Sequence, residues 1–174
     1  MAILTEDMKR MIAELRLSYV ATVTPEGNPN LSPKASLRVW DDDHLAFIDI
    51  ASPNTVRNLK SNPHIEVNIV DPFRRRGYRF KGVAEIIYEG DIFTTMAGEL
   101  WAREGRQYPA NGIVKIRVTE ALPVKSPAYM FNRDVREDDV RRVYLNRYGL
   151  RDAEPAENGA SENSRVTSGE PRHD

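Results

Sequence analysis

Three of the five connections between the strand-like segments of this chain are turns or short loops, with no regular strand–helix alternation, and that constrains its architecture more than any other feature. Residues 17–24 are rich in Tyr, Val and Thr and read as a strand; Pro25-Glu26-Gly27-Asn28-Pro29 is a turn, and residues 30–40 read as a second strand. Asp41-Asp42-Asp43 turns the chain again into Leu45-Ala46-Phe47-Ile48-Asp49-Ile50, nearly all apolar and so expected to be buried on both faces. Connections this short join antiparallel neighbours, because a parallel crossover needs on the order of a dozen residues. Residues 64–70 alternate Ile65, Val67 and Ile69 against Glu66, Asn68 and Val70, a fourth strand. Residues 78–88 form a long fifth, with Tyr78, Phe80 and Gly82 on one face and Arg79, Lys81 and Val83 on the other. Residues 113–118 alternate as a sixth and continue into Ala121-Leu122-Pro123-Val124, after which Ser126-Pro127-Ala128-Tyr129 breaks the pattern. About six strands without regular strand–helix alternation exclude a doubly wound sheet and predict a mainly β fold, an antiparallel barrel with helices attached.

Helical spacing is confined to four places. Met8, Met11, Ile12 and Leu15 predict a helix over residues 5–15, and Ser52-Pro53 opens a second that stops at Asn62-Pro63. Phe93, Met96, Leu100 and Trp101 mark a third over residues 91–106, and Val140, Val143, Tyr144 and Tyr148 a fourth over residues 134–148. Phe93, Met96, Trp101, Tyr108 and Tyr129 fall outside the expected strands. They either cap the barrel's own core or are covered by a second copy of the chain.

The 174 residues suffice for one domain, expected over residues 1–150. Residues 151–174 are Ala, Glu, Asn, Gly, Ser, Pro and charges, with Val166 the only large apolar side chain. Such a segment cannot bury enough surface to offset its ordering entropy, so it is expected to be a disordered tail or to pack on a neighbouring subunit. With 25 basic and 26 acidic residues the formal charge is -1, which recommends neither nucleic acid nor a membrane as partner. There is no cysteine, which removes thiolate chemistry and fits a cytoplasmic protein. No window has the apolar length of a membrane span, and Thr5-Glu6-Asp7 interrupts the N-terminus before any signal-peptide core could form.

The chemistry is concentrated between Pro33 and Pro63. Ser52 suits a helix N-cap and Pro53 the first helical position, so the helix aims free N–H groups and partial positive charge outward, where a phosphate fits. Lys34, Ser36 and Arg38 alternate along the preceding strand and would share one face. Two readings stand here: a cradle for a phosphorylated ligand, or an ordinary helix start beside a solvated sheet face. Elsewhere, His44 reads as a turn residue and the aspartate run as a tight acidic turn rather than a metal loop, so no metal site is expected. Arg74-Arg75-Arg76 reads as a solvated loop or part of a small-ligand site. There is no glycine-rich dinucleotide loop and no nucleophile elbow, and the sequence names no catalytic residue.

In order, the opening helix, Tyr19-Val20-Ala21-Thr22-Val23, the Gly27-Asn28-Pro29 turn, Pro33-Lys34-Ala35-Ser36, the residue 45–49 strand, Ser52-Pro53-Asn54-Thr55-Val56-Arg57-Asn58-Leu59, and Tyr78-Arg79-Phe80-Lys81-Gly82 resemble the FMN-binding split barrels of the pyridoxamine 5′-phosphate oxidase-like superfamily. The resemblance covers about residues 5–130. It implies a homodimer of six-stranded antiparallel split β-barrels with FMN at the dimer interface. It implies that Lys34, Ser36, Asn54 and Thr55, with Asn58 one turn on, hold the flavin phosphate. Pro33, Ala35, Ile48 and Asp49 match positions that line the flavin ring or ribityl chain, and Arg79 and Lys81 match a strand that adds polar contacts.

Two departures shape the functional expectation. Many relatives carry Arg or Lys where this chain has Asn54 and Thr55, so phosphate binding leans on amide, hydroxyl and backbone donors with Lys34, Arg79 and Arg57. The pyridoxamine phosphate oxidases themselves end in an arginine-containing segment, where this chain has a polar tail. The resemblance therefore implies an FMN-dependent oxidoreductase other than a true pyridoxamine phosphate oxidase, acting on a small molecule or an electron donor such as NAD(P)H. The alternatives it leaves are a non-enzymatic flavin or haem binding protein and a deazaflavin-dependent reductase on the same fold.

Overall fold

The computed structural model describes residues 2–151, so the expectation for the tail lies outside the described residues. In chain order the elements are α1 (Glu6–Glu14), β1 (Ser18–Val23), β2 (Pro29–Lys34), β3 (Arg38–Val39), β4 (His44–Asp49), α2 (Pro53–Ser61), β5 (His64–Asp71), β6 (Arg76–Ile87), α3 (Asp91–Glu104), β7 (Gly112–Lys125), α4 (Pro127–Phe131) and α5 (Glu137–Arg147). The strands form one curled antiparallel sheet in the order β2-β1-β5-β6-β7-β4-β3. Two of the connections are the predicted short turns, and Gly27 sits at φ 86° in the first, a conformation that glycine adopts without strain.

The predicted second strand is broken. Its halves, β2 and β3, are the two opposite edges of the sheet, yet only Ala35-Ser36-Leu37 separates them. Four residue steps reach at most about 14 Å, so the sheet must curl until its edges nearly meet. The barrel is thus closed by the chain itself and not by a backbone ladder. Ser36 supplies part of what the ladder lacks: its Oγ accepts a hydrogen bond from the Ile48 N–H at 3.0 Å. Counting β2 and β3 as one broken strand recovers the six expected; the seventh comes from this split.

β4 is buried on both faces, as its apolar run predicts. Leu45 and Phe47 enter the barrel interior with Val20, Val67, Phe80 and Ile116, and α1 adds Met8 and Ile12 to the same cluster. Ala46 and Ile48 face outward into a second core, built with Ile92, Met96 and Leu100 of α3 and Ile113 of β7. Met96 is wholly buried by its own chain and needs no partner to cover it, while Phe93 and Trp101 pack against the same cluster and remain half-buried. Each fully buried apolar side chain of this size stabilises the fold by about 1.5–3 kcal/mol.

The arginine run is engaged within the chain. Arg74 pairs with Asp71 at 2.9 Å, and Arg75, at φ 57°, lies over the Tyr144 ring at 4.8 Å. Arg76 donates to both carboxylate oxygens of Asp7, at 2.9 and 3.3 Å, and ion-pairs with Glu137 at 2.7 Å. The Tyr78 hydroxyl donates to Asp7 at 2.6 Å. The start of β6 therefore clamps α1 and α5 together. The Arg76 and Tyr78 hydrogen bonds hold the Asp7 carboxyl down at about 2.

Candidate functional site

The seam creates a groove of about 480 Å³ between the broken strand and α3. Pro33, Lys34, Ala35, Ser36 and Ile48, five of the residues expected at the site, line it together. Lys34 is the chemically unusual member, because its side chain is only 5% exposed. Nζ donates to Ser32 Oγ and to the Pro33 carbonyl at 3.2 Å, and lies 5.5 Å from the centre of the Phe47 ring. Burial pushes its pKa below the ordinary lysine value, while the Asp49 carboxylate opposes that shift. No carboxylate is ion-paired with it among the described residues. A buried ammonium without a counter-ion is costly, and an anion delivered to the groove would relieve that cost.

The opposite end of the groove is the start of α2. Ser52 lines the groove, but its side chain makes no capping hydrogen bond, and the first turn of α2 holds no acidic residue. Its own N–H instead donates to Asp49 Oδ1 at 3.0 Å, which fixes the strand-to-helix corner. Among the described residues the first-turn N–H groups are thus left without a side-chain acceptor, the condition under which a helix N-terminus takes an anion.

The remaining expected residues stand differently. Asp49 is buried at this corner and lines not the groove but a separate cavity, together with Pro53, Arg57 and Lys60. Asn54 is exposed, and its Oδ1 accepts from Arg57. Thr55 and Asn58 are on the buried face of α2, and Asn58 Nδ2 donates to Thr22 Oγ1 at 3.0 Å, a tie between α2 and β1. The structure does not bring Arg79 and Lys81 into the groove of their own chain. Arg79 sits in register with Asn68, Tyr19 and Pro33, three strands from the groove wall, roughly 14 Å away. Both point outward, Arg79 bidentate to Glu66 and Lys81 paired to Glu120.

Sequence reasoning missed part of the wall. Leu100, Arg103, Glu104 and Tyr108 close the groove on its outer side. The helical stripe marked Leu100 as a core residue, and the pattern carried no signal that α3 would end beside the seam. Among the described residues no cluster of three or more His, Asp or Glu side chains could hold a metal.

A single curled antiparallel sheet, split at one strand and grooved at the split, defines a mainly β split barrel with flanking helices. The profile of the pyridoxamine 5′-phosphate oxidase family matches residues 4–147, and the chain belongs to that family. In structure it is similar to HupZ of Group A Streptococcus, at 33% identity with a TM-score of 0.64, over 71% of this chain and 95% of that one. It is also similar to an FMN-binding protein of Syntrophomonas wolfei, at 18% identity and TM-score 0.63, over 70% of this chain and 86% of that one. The haem storage protein HutZ of Vibrio cholerae shares the fold at 18% identity and TM-score 0.56, over 72% of this chain and 96% of that one. None of the curated proteins matches the chain.

Proposed function

We propose that this protein binds FMN in the seam groove and acts as a cytoplasmic, homodimeric flavin oxidoreductase on a small molecule, rather than as a true pyridoxamine phosphate oxidase. The observation that carries the reading is the buried Lys34 in the same groove as the uncapped start of α2. Both favour an anion, and between them Ile48, Ile50, Leu100 and Tyr108 offer the apolar walls that a planar ring needs. Bound FMN would supply the electron chemistry. The chain's own part is to hold the phosphate with Lys34 and the first turn of α2, and to exclude water with α3.

The dimer reading rests on the outer sheet face. Tyr19, Val23 and Leu31 stand exposed on β1 and β2, an apolar patch beside the outward Arg79 and Lys81. A two-fold partner on this face would cover the patch and bring Arg79 and Lys81 toward the other protomer's groove. The haem reading, carried by the kinship with HutZ, is less well supported: neither His44 nor His64 lines the groove. His44 is instead held by Asp41 at 2.7 Å.

The test is the absorbance of the purified protein, with FMN titrated by fluorescence quenching and the mass read by light scattering. Flavin bands on a dimer are expected. A Soret band, a protein that quenches deazaflavin but not FMN, or a monomer that retains FMN would each overturn part of the reading. NADPH-driven bleaching of the bound flavin then separates an enzyme from a carrier.

A further inference from the structure

A further cavity lies on the outer side of β1 and shares no residue with the seam groove. It encloses about 540 Å³ between the end of α1, the start of β1, the end of β5 and the loop that follows. Leu15, Leu17, Tyr19, Val70, Pro72 and Phe73 give it apolar walls, and Leu17 and Tyr19 stand exposed there. Its charged lining is Arg16, Arg74 and Arg141 with Asp71. Asp71 is buried and already accepts from the Phe73 and Arg74 N–H groups and from Arg74 Nη1, so the open face of the cavity is positive. Arg16 has no ion pair or hydrogen bond among the described residues.

The chain's own C-terminal end arrives at this cavity. Arg141 of α5 lines it, and the Tyr148 ring packs edge-on against Phe73 at 5.9 Å. Gly149, at φ 69°, then turns the chain out of the helix, with the Leu150 N–H donating to the Leu145 carbonyl at 2.9 Å. Residues 152–174 follow, outside the described residues. They carry six acidic side chains and two basic, while residues 1–151 carry 20 and 23. The first six are Asp152-Ala153-Glu154-Pro155-Ala156-Glu157, three carboxylates and no cation. Pro155 disfavours helix at Glu154, and in an extended segment Asp152 and Glu154 share one edge while Ala153 and Pro155 share the other.

We propose that residues 152–157 seat on this cavity of their own chain, with Ala153 and Pro155 toward its apolar walls and the carboxylates toward Arg16 and Arg74. The reach is sufficient. The segment begins four residues after Tyr148, at most about 14 Å from a ring that touches the cavity wall, and six extended residues span at most about 20 Å. Exposed ion pairs are individually weak, but tethering raises the effective concentration to the order of mM, so a contact too weak to hold a free peptide still populates the seated form. Tyr19 belongs also to the face proposed for the second copy, so the seated segment masks the border of that face. The inference does not rest on the flavin reading.

The chain has no cysteine, so Ala156→Cys gives a single attachment point for a nitroxide label on the full chain. Amide signals are recorded with the label oxidised and then reduced, at low salt and in about 0.5 M NaCl, where screening between exposed charges is nearly complete. The same is done with Asp152→Asn, Glu154→Gln and Glu157→Gln combined, and separately with Arg16→Gln. The Leu17, Tyr19 and Asn68 amides are expected to be broadened at low salt, to recover most of their intensity at high salt and in the combined variant, and to recover part of it in Arg16→Gln. A segment that swings freely past the cavity broadens these amides equally in every form, and that result overturns the proposal, as does the absence of broadening. Nitroxide-labelled chains are also mixed with isotope-labelled chains that carry no nitroxide. Broadening of the same amides in that mixture means that the segment of one copy seats on another, which overturns the assignment to its own chain.

Discussion

Replacing Asp7 by asparagine tests whether the clamp at the start of β6 carries folding energy. Its carboxyl moves from an ordinary 3.8 to about 2, because it accepts from Arg76 and Tyr78. At about 1.4 kcal/mol per pKa unit that difference corresponds to about 2.5 kcal/mol at most. The Asp7 side chain is 32% exposed, so solvent screening reduces the figure to about 1–2 kcal/mol. The native pKa is the lower one, so this stability is present in full above about pH 5 and is lost as pH falls through about 2. Urea unfolding of the parent and of Asp7→Asn, from pH 7 down to pH 2.5, is the assay. Asp71 and Glu66, also held below their usual range, titrate in both proteins and cancel in the difference. The parent is expected to be more stable by about 1–2 kcal/mol at pH 7, and the gap to close steadily below about pH 4. A gap that stays constant across the range would mean that the asparagine acts through packing alone, and the electrostatic account would be wrong.

Two further changes follow from the same geometry. Lys34→Met keeps the volume and removes a buried charge, so the apoprotein is expected to hold or gain thermal stability while FMN affinity falls at least about tenfold; a destabilised apoprotein with unaltered FMN affinity would make Lys34 a structural residue. Gly77→Ala places a Cβ 1.9 Å from the Ile69 carbonyl oxygen, a clash with backbone that cannot rotate away. That variant is expected to lose about 3 kcal/mol or more, or to be insoluble, by denaturation midpoint or soluble yield.

Most elements were legible because their signals are local. The Ile65, Val67, Ile69 alternation gave β5 its inward face, and the apolar run of β4 announced two cores, one on each side. The break at residues 35–37 was not legible. Pro33-Lys34-Ala35-Ser36-Leu37-Arg38 has the alternation of one continuous strand, and what breaks it is the demand that its halves join opposite sheet edges, a property of the closed sheet. The same limit hid the outer wall of the groove. Arg103 in the last turn of α3 and Tyr108 just beyond it are placed by the packing of Met96 and Leu100 on β4 and β7, which no short-range pattern encodes. Ser126-Pro127 was legible as a break in β7 but not as the start of α4, a helix too short to show a period. Lys34 was legible as a basic strand residue; its burial was not, since that depends on Phe47 lying beneath it.

The three residues that join β2 to β3, Ala35-Ser36-Leu37, divide the molecule into stiff and soft parts. β6 is hydrogen-bonded along nearly its whole length to β5 and β7, so these three can only separate by breaking many bonds at once. β3 is held by two residue pairs, Arg38 with Ala46 and Val39 with Leu45. Widening the barrel at this point costs those pairs, the Ser36 bond to Ile48 and the Arg38–Glu99 ion pair, and leaves the rest of the ladder untouched. Within the sheet, amide exchange should therefore be fastest from Ala35 to Val39 and slowest in the centre of β6. The seam groove borders that soft strip, so a ligand seated there would act as a wedge or a stitch, and its entry and exit would be governed by one of the weakest seams in the sheet.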